Sequence, residues 1–400
     1  MRFFNRSRDA DNRKYEYNER MEVAKLGRKQ SRGSIHATNA DTVNPPPTNQ
    51  ASKERVHSTC AEMVPDRKME NDTSIFDSYR TCRNLWAKTL FCWATSPSHC
   101  HNLLKILHNG DQQFLNRILS ALRSLRSDLV NEITNDVNGC HLVRKLVEVG
   151  NEDQCLTVLK VLTRKRLQLI NIGSTSRGKI VVQKMLKLYN SFPEHRTILL
   201  RSLEQDPLKL AVDRDGQSVI LKCLRYLSSD YCEFIFETLV NHLMQIVQKN
   251  TSHDGFGGVL LVRQCFQVAP DAYQKLLVDK ITDHALALTK DPVGHYLILD
   301  LLNSSKWIEA SRRLVRKLQR HFSDLAMQHF SSKVVHQCLI KSSSIDIGMS
   351  LDCIVRELIR SPLFPQMPLN IHAQSVIKSA CALSEGKLLE DLNEAIRHGN

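Results

Sequence analysis

Glycine and proline are scarce in this chain, with 15 and 12 residues among 400. Long stretches therefore lack the punctuation of closely spaced β-turns, which argues against an all-β protein and for helix. The 12 cysteines include no Cys-x-x-Cys pair, and Met1 to Phe4 runs straight into Arg6, Arg8 and Asp9 instead of an apolar signal segment. A secreted disulfide scaffold is not expected; reduced thiols in an intracellular compartment are. Asp9, Asp11, Glu16, Glu19 and Glu22 break the acid-poor rule of organelle transit peptides. No run of about 18 apolar residues is present, so no membrane partner is expected. His-Glu-x-x-His and Gly-x-Ser-x-Gly motifs are also missing. The sequence thus sets no nucleophile beside a base, and we expect no enzyme, no cofactor and no metal.

What the chain does have is positive charge: 55 Lys and Arg against 42 Asp and Glu, a formal +13. That balance suits a polyanion such as RNA, DNA or an anionic membrane surface. Residues 1–75 are polar, with a Pro45-Pro46-Pro47 cluster and Arg2, Arg6, Arg8, Arg13, Lys14, Arg28, Lys29 and Arg32. Such a segment buries too little apolar surface to offset its chain entropy and reads as disordered. We read 76–94 as a linker and 95–400 as the folded domain.

From about residue 95 the text repeats. Small anchors recur at Cys100, Gly139, Gly178, Gly216, Gly258, Gly294, Ser331 and Ala373, separated by 36 to 42 residues. Three and four residues after each stands an apolar pair, from Leu103-Leu104 and Leu142-Val143 to Val334-Val335 and Val376-Ile377. Offsets of 7 and 8 are apolar too, with His108 as the exception. Offsets of 3, 4, 7 and 8 form one buried face of an α-helix. Repeated at a fixed period, they predict a solenoid whose units bury their apolar faces against each other. Asp136, Thr175, Asp213, Asp291 and Asn370 stand three residues before their anchors and are good N-cap types. Cys223, Cys265 and Cys338 share one core offset, so packing is their expected role and the thiols should lie far apart. Leu388 to Ile396 is expected to cap the last repeat.

One decoy is close. Gly173-Ser174-Thr175-Ser176-Arg177-Gly178-Lys179 follows a phosphate-loop pattern until Ile180, where that motif needs Ser or Thr for magnesium. A period near 40 residues also fits HEAT or armadillo arrays that bind proteins. The regular small anchor and the short polar turn before it weigh against those.

The blocks GQSVILKCL (216–224), GKIVVQKML (178–186) and SSKVVHQCL (331–339) resemble the second helix of Pumilio (PUF) repeats, and the resemblance spans about residues 95 to 395. It implies an all-α superhelical crescent of about eight stacked repeats, with the second helices lining the concave face. It further implies that the first, second and fifth residues after each anchor meet one RNA base, the second by stacking. Offsets of 1 and 5 are helical neighbours pointing away from the buried face. The RNA-binding residues so implied are Cys140, His141 and Arg144; Lys179 and Gln183; Gln217 and Ser218; Arg263; His295 and Tyr296; Ser332, Lys333 and His336; and Gln374 and Lys378. Gln183 alone keeps the usual Gln at the fifth place, while Leu221 and Leu299 cannot bond a base edge and Arg144, Arg263 and Lys378 only donate. By resemblance the partner is single-stranded messenger RNA, in the 3′ untranslated region. The outcome is control of translation and decay by a cytoplasmic or nucleolar monomer that recruits repression or decay factors. A Pumilio scaffold that holds structured RNA or proteins without reading bases is the other reading of these triplets.

Overall fold

The computed structural model describes residues 74–249, 257–344 and 350–398. All lie in one compact unit, Cys60–Asn400. The disorder expected for 1–75 falls almost wholly outside the described residues.

The chain is a succession of helices, and no strand occurs among the described residues. It opens with α1 (Ser74–Thr95), α2 (Pro97–His108), α3 (Gln112–Ser124), α4 (Ser127–Asn135) and α5 (Gly139–Val149). Then come α6 (Glu152–Leu162), α7 (Gln168–Gly173), α8 (Gly178–Tyr189), α9 (Pro193–Leu203), α10 (Pro207–Val212) and α11 (Arg214–Tyr226). After a 3-10 turn follow α12 (Glu233–Gln248), α13 (Gly257–Val268), α14 (Asp271–Asp283), α15 (Ala285–Lys290) and α16 (His295–Asn303). The remainder is α17 (Ile308–Leu318), α18 (Phe322–Ala326), α19 (Ser331–Ser344), α20 (Leu351–Ile359), α21 (Ala373–Leu383) and α22 (Gly386–His398).

These helices form two rows. In the inner row α2, α5, α8, α11, α13, α16, α19 and α21 each pack on the next. In the outer row α1 packs on α3, α3 on α6, α6 on α9, α12 on α14, and α14 on α17. Short helices such as α4, α7, α10, α15 and α18 join outer to inner. In α12 the backbone leaves helical geometry at His242, so one element serves as outer helix and connector. The array is therefore an all-α superhelical stack of the expected class.

The periodic apolar positions explain it. Leu142, Val181, Val219, Leu297, Val334 and Val376 are all buried on inner-row helices, and Leu146, Met185, Cys223, Cys265, Leu301 and Cys338 lie in the same core. The N-cap expectation holds at all five turns. Asp136 Oδ1 accepts from the Gly139 amide at 2.9 Å, and Thr175 Oγ1 from Gly178 at 3.1 Å. Asp213, Asp291 and Asn370 accept from Gly216, Gly294 and Ala373 at 2.7, 2.7 and 3.0 Å. Each bond satisfies an amide that the first helical turn leaves free. The anchors are small because the chain doubles back tightly: a Cβ on Gly216 would stand 2.6 Å from the Leu210 carbonyl oxygen. Ser331 uses the same spot differently, its hydroxyl donating to the Leu325 carbonyl at 2.7 Å.

One expectation is corrected. Residues 76–94 are not a linker but most of α1, whose Ala87, Leu90, Cys92 and Ala94 are buried. That helix is the outer element of the first unit, and only Ser96 separates it from α2. Cys100 lies inside α2, which starts at Pro97 behind the N-cap residue Ser96. At the far end, α22 covers α20 and α21 with Leu392 buried, the expected cap.

Candidate nucleic-acid interface

Along the inner row, buried residues at offsets 3, 4, 7 and 8 leave offsets 2, 5 and 6 facing outward. The second places His141, Lys333 and Ser375 are exposed, and Ile180, Ser218, Leu260 and Tyr296 are half-buried. At the fifth place Lys105 and Lys378 are exposed, while Arg144, Gln183, Arg263 and His336 are half-buried.

The first place differs. Cys140, Gln217, His295 and Ser332 are buried. Their polar atoms turn back to the preceding connector: Gln217 Nε2 donates to the Ala211 carbonyl at 2.7 Å and Cys140 Sγ to Val137 at 3.4 Å. Ser332 Oγ likewise donates to His329 at 3.2 Å, and the exposed Gln374 amide to Pro368 at 2.9 Å. In this arrangement Cys140, Gln217 and Ser332 turn their donors back into the connector, and His295 is buried with its Nε2 unpartnered; Lys179 and Gln374 alone of the nominated first-place residues reach the surface.

Neighbouring units are tied across this face. Gln183 Nε2 donates to Ser218 Oγ at 3.0 Å and to its carbonyl at 3.1 Å. His336 Nδ1 lies 2.6 Å from Ser379 Oγ. Lys179 Nζ meets Asp215 Oδ1 at 2.7 Å, and Lys184 meets Glu148 at 2.6 Å. Arg263 grips Asp300 through Nε and Nη2 at 2.7 and 3.0 Å and sits 5.9 Å from the Tyr296 ring centre. Arg144 lies only at 3.9 Å from Glu148. Burial works to raise the Glu148 pKa, but the bond from Lys184 and three nearby cations hold it below the ordinary value.

The cations expected on this face are thus of two kinds. Lys179 and Arg263 are held by carboxylates, whereas Lys105, Lys333 and Lys378 have no carboxylate within 4.0 Å among the described residues. The triplet reading did not mark the sixth place, where Lys145, Lys184 and Lys222 follow each other in successive units. The cleft between α2 and α5, about 480 Å³, is lined by His101, Lys105, His108, His141, Arg144 and Lys145, with Glu148 as its carboxylate. Burial, and then the charge of Arg144, lowers the His141 pKa. At the other end the His295 ring lies tilted with its centre 4.0 Å from that of Tyr296 and 5.5 Å from that of Phe330, and His329 continues the series toward His372 at 5.0 Å. Among the described residues no cluster of three His, Cys, Asp or Glu side chains could hold a metal ion, and no helix is long and apolar enough to cross a membrane.

The sequence pattern of the Pumilio-family RNA binding repeat matches residues 130–163, 208–240 and 321–349. These windows fall on α4 to α6, α10 to α12 and α18 to α19, elements that share the connector and inner helix described above. The chain is a divergent member of the Pumilio family. It is 28% identical over 310 residues to Pumilio homolog 12 of Arabidopsis thaliana, covering 77% of this chain and 49% of that one. Pumilio homolog 9 of the same plant is 30% identical over 288 residues, 72% of this chain and 48% of its own. The chain therefore spans about half the length of the curated relatives it matches. Among solved structures, the Puf4 RNA binding domain bound to a 3′ UTR recognition sequence aligns over 76% of this chain and 91% of its own, with TM-score 0.57 and 20% identity. Yeast Puf5p bound to SMX2 RNA aligns over 79% and 90%, with TM-score 0.58 and 17% identity. These likenesses establish that this Pumilio chain shares their fold.

Proposed function

We propose that this Pumilio protein binds single-stranded RNA along its inner row of helices. The observation that carries the reading is the periodic outward face: second, fifth and sixth places of successive inner helices present Arg, Lys, His, Gln and Tyr side chains at a constant helical register. A base can stack on His141 or Tyr296 while a neighbouring donor meets its edge or its phosphate. The remaining nominated contacts are Arg144, Gln183, Ser218, Lys333, His336, Gln374 and Lys378, with Lys179 and Arg263 engaging once their carboxylates are displaced. The buried first-place residues Cys140, Gln217, His295 and Ser332 shape the floor beneath.

The messenger-RNA 3′ untranslated region is the proposed target, and control of translation and mRNA stability through recruited repression or decay factors the proposed outcome. Similarity to proteins solved with such RNA supports this, as does the description of the matching repeat. Cytoplasmic residence as a monomer belongs to the same proposal.

The test is an anisotropy titration at several salt concentrations, with a UGUA-containing oligonucleotide beside a randomised pool. We expect binding with weak discrimination, and a loss of roughly 1–3 kcal/mol in Tyr296→Ala, the value of a stacked base. No binding of either RNA at low salt would reject the proposal and favour a protein-binding scaffold.

A further inference from the structure

Cations also concentrate on a surface that the inner row does not use. At the C-terminal ends of the outer helices α3, α6 and α9, segments 123–128, 163–167 and 201–209 hold seven Lys and Arg against three carboxylates. Arg123, Arg126, Arg164, Lys165, Arg166, Arg201 and Lys209 are all exposed. The equivalent segment after α14 carries Asp283, paired with Lys317 at 2.8 Å, and the end of α17 carries Arg316, Lys317 and Arg320.

The three segments are fastened together. Arg164 spans to the previous unit, donating from Nη1 to the Leu125 carbonyl at 2.7 Å and from Nη2 to Arg123 at 3.0 Å. The Leu167 amide, in a left-handed turn at φ 61°, donates to Gln205 Oε1 of the next unit at 2.9 Å. Arg164 is thereby spent on backbone, and Lys209 on Asn171 at 2.6 Å. Arg126 is held by Asp128 at 2.8 Å. Arg123, Lys165, Arg166 and Arg201 have no carboxylate within 4.0 Å among the described residues. A row of unpaired cations on a braced edge gains by meeting a polyanion, because each contact releases condensed counterions. The edge exposes no large apolar side chain that could enter a bilayer, which sets it apart from an amphipathic membrane surface.

We propose that this outer rim is a second RNA site, which takes the phosphodiester backbone of RNA beyond the stretch held by the inner row. The proposal rests on the RNA-binding reading of the inner row and extends it to longer transcripts. It reads no bases, so it adds affinity without sequence choice.

The test compares the full chain with the triple variant Arg123→Ala, Lys165→Ala, Arg166→Ala, which spares Arg164 and its backbone bonds. Both are titrated with a 10-nucleotide and a 40-nucleotide single-stranded RNA, with melting curves as a folding control. The variant should keep its melting temperature and its affinity for the short RNA. On the long RNA it should bind about fivefold or more weakly at moderate salt, with a log–log salt slope shallower by about 2, at roughly 0.7 per lost phosphate contact. Unchanged affinity and slope on the long RNA would overturn the rim, as would an equal loss on both lengths. Loss of binding to phosphatidylserine vesicles with long-RNA binding intact would overturn it in favour of a membrane. If the short RNA does not bind but the long RNA does, and the triple variant loses it, the inner-row reading fails while the rim stands.

Discussion

Arg263 on α13 and Asp300 on α16 form a two-pronged ion pair across neighbouring units, with contacts of 2.7 and 3.0 Å. Both groups are partly exposed, so the pair contributes little to stability, about 0–1 kcal/mol. Its effect on binding is larger, because Asp300 occupies the fork that a phosphate would use. Asp300→Ala should therefore tighten single-stranded RNA binding and steepen the salt slope by about 0.7. Arg263→Ala should cost little. An anisotropy titration in which Asp300→Ala binds no tighter would show that Arg263 does not meet RNA.

Close packing at the anchors gives a second expectation. A Cβ on Gly216 would stand 2.6 Å from the Leu210 carbonyl oxygen and 2.7 Å from its Cα, both rigid backbone atoms. Gly216→Ala should destabilise by about 1–3 kcal/mol, the usual cost of overpacking. In a stacked array the damage stays near α10 and α11, so their amides should exchange faster while distant helices keep their protection. Uniform protection with an unchanged urea midpoint would contradict the close approach.

Much of this fold was legible in the sequence because burial imposes a period. Leu142, Val181, Val219, Leu297, Val334 and Val376 are buried since nothing else can cover offsets 3 and 4 of an inner helix. Asp213 and Asn370 were legible because a cap acts three residues along its own chain. What lay hidden depends on register between units. Asp215 takes Lys179 from 36 residues away, and Ser379 meets His336 from 43 away. No local pattern encodes such pairs, so Lys179 read only as an RNA-binding residue. Burial of Gln217 and His295 was hidden for a related reason: the connector before each inner helix folds over the first place, and its path is set by packing. Helix α1 escaped because it precedes the first small anchor and no capped turn follows it.

The thiols should react in the order of their exposure. Among the ten cysteines whose side chains are described, Cys353 is exposed, Cys381 is half-buried and the other eight are buried. Burial pushes Cys338 up to about 12 and holds Cys223 and Cys265 well above the ordinary thiol value. Thiolate, the reactive form, is therefore scarce at these sites. Alkylation followed by peptide mass spectrometry should label Cys353 first, then Cys381, and the buried eight only on unfolding. Labelling of Cys223 or Cys265 as fast as Cys353 would contradict their burial.

The last prediction concerns acid. His295 is 1% exposed and its Nδ1 lies 3.2 Å from the Asp291 carbonyl oxygen. Its buried Nε2 has no hydrogen-bond partner. The rings of Tyr296 and Phe330 lie beside it. Burial lowers its pKa below the ordinary 6.5; the contacts and charge of Asp291 and the bond of Pro292 act upward, and the charge of Lys333 acts downward. The unfolded chain therefore takes up a proton near pH 6.5 that the folded chain refuses until lower pH. Stability is fully present above 6.5 and is lost as pH falls toward the folded value. His141, lowered by burial and by Arg144, adds the same sign. The depressed carboxyls of Glu148, Asp271 and Asp283 act in a lower window, since their ordinary values are 4.5 and 3.8. The melting temperature should drop between pH 7.5 and 5.5, and His295→Gln, which keeps a polar group without a titrating one, should melt lower at pH 7.5 but with a shallower drop. A wild-type melting temperature that does not fall over this range would refute the assignment, and so would a His295→Gln drop as large as wild type.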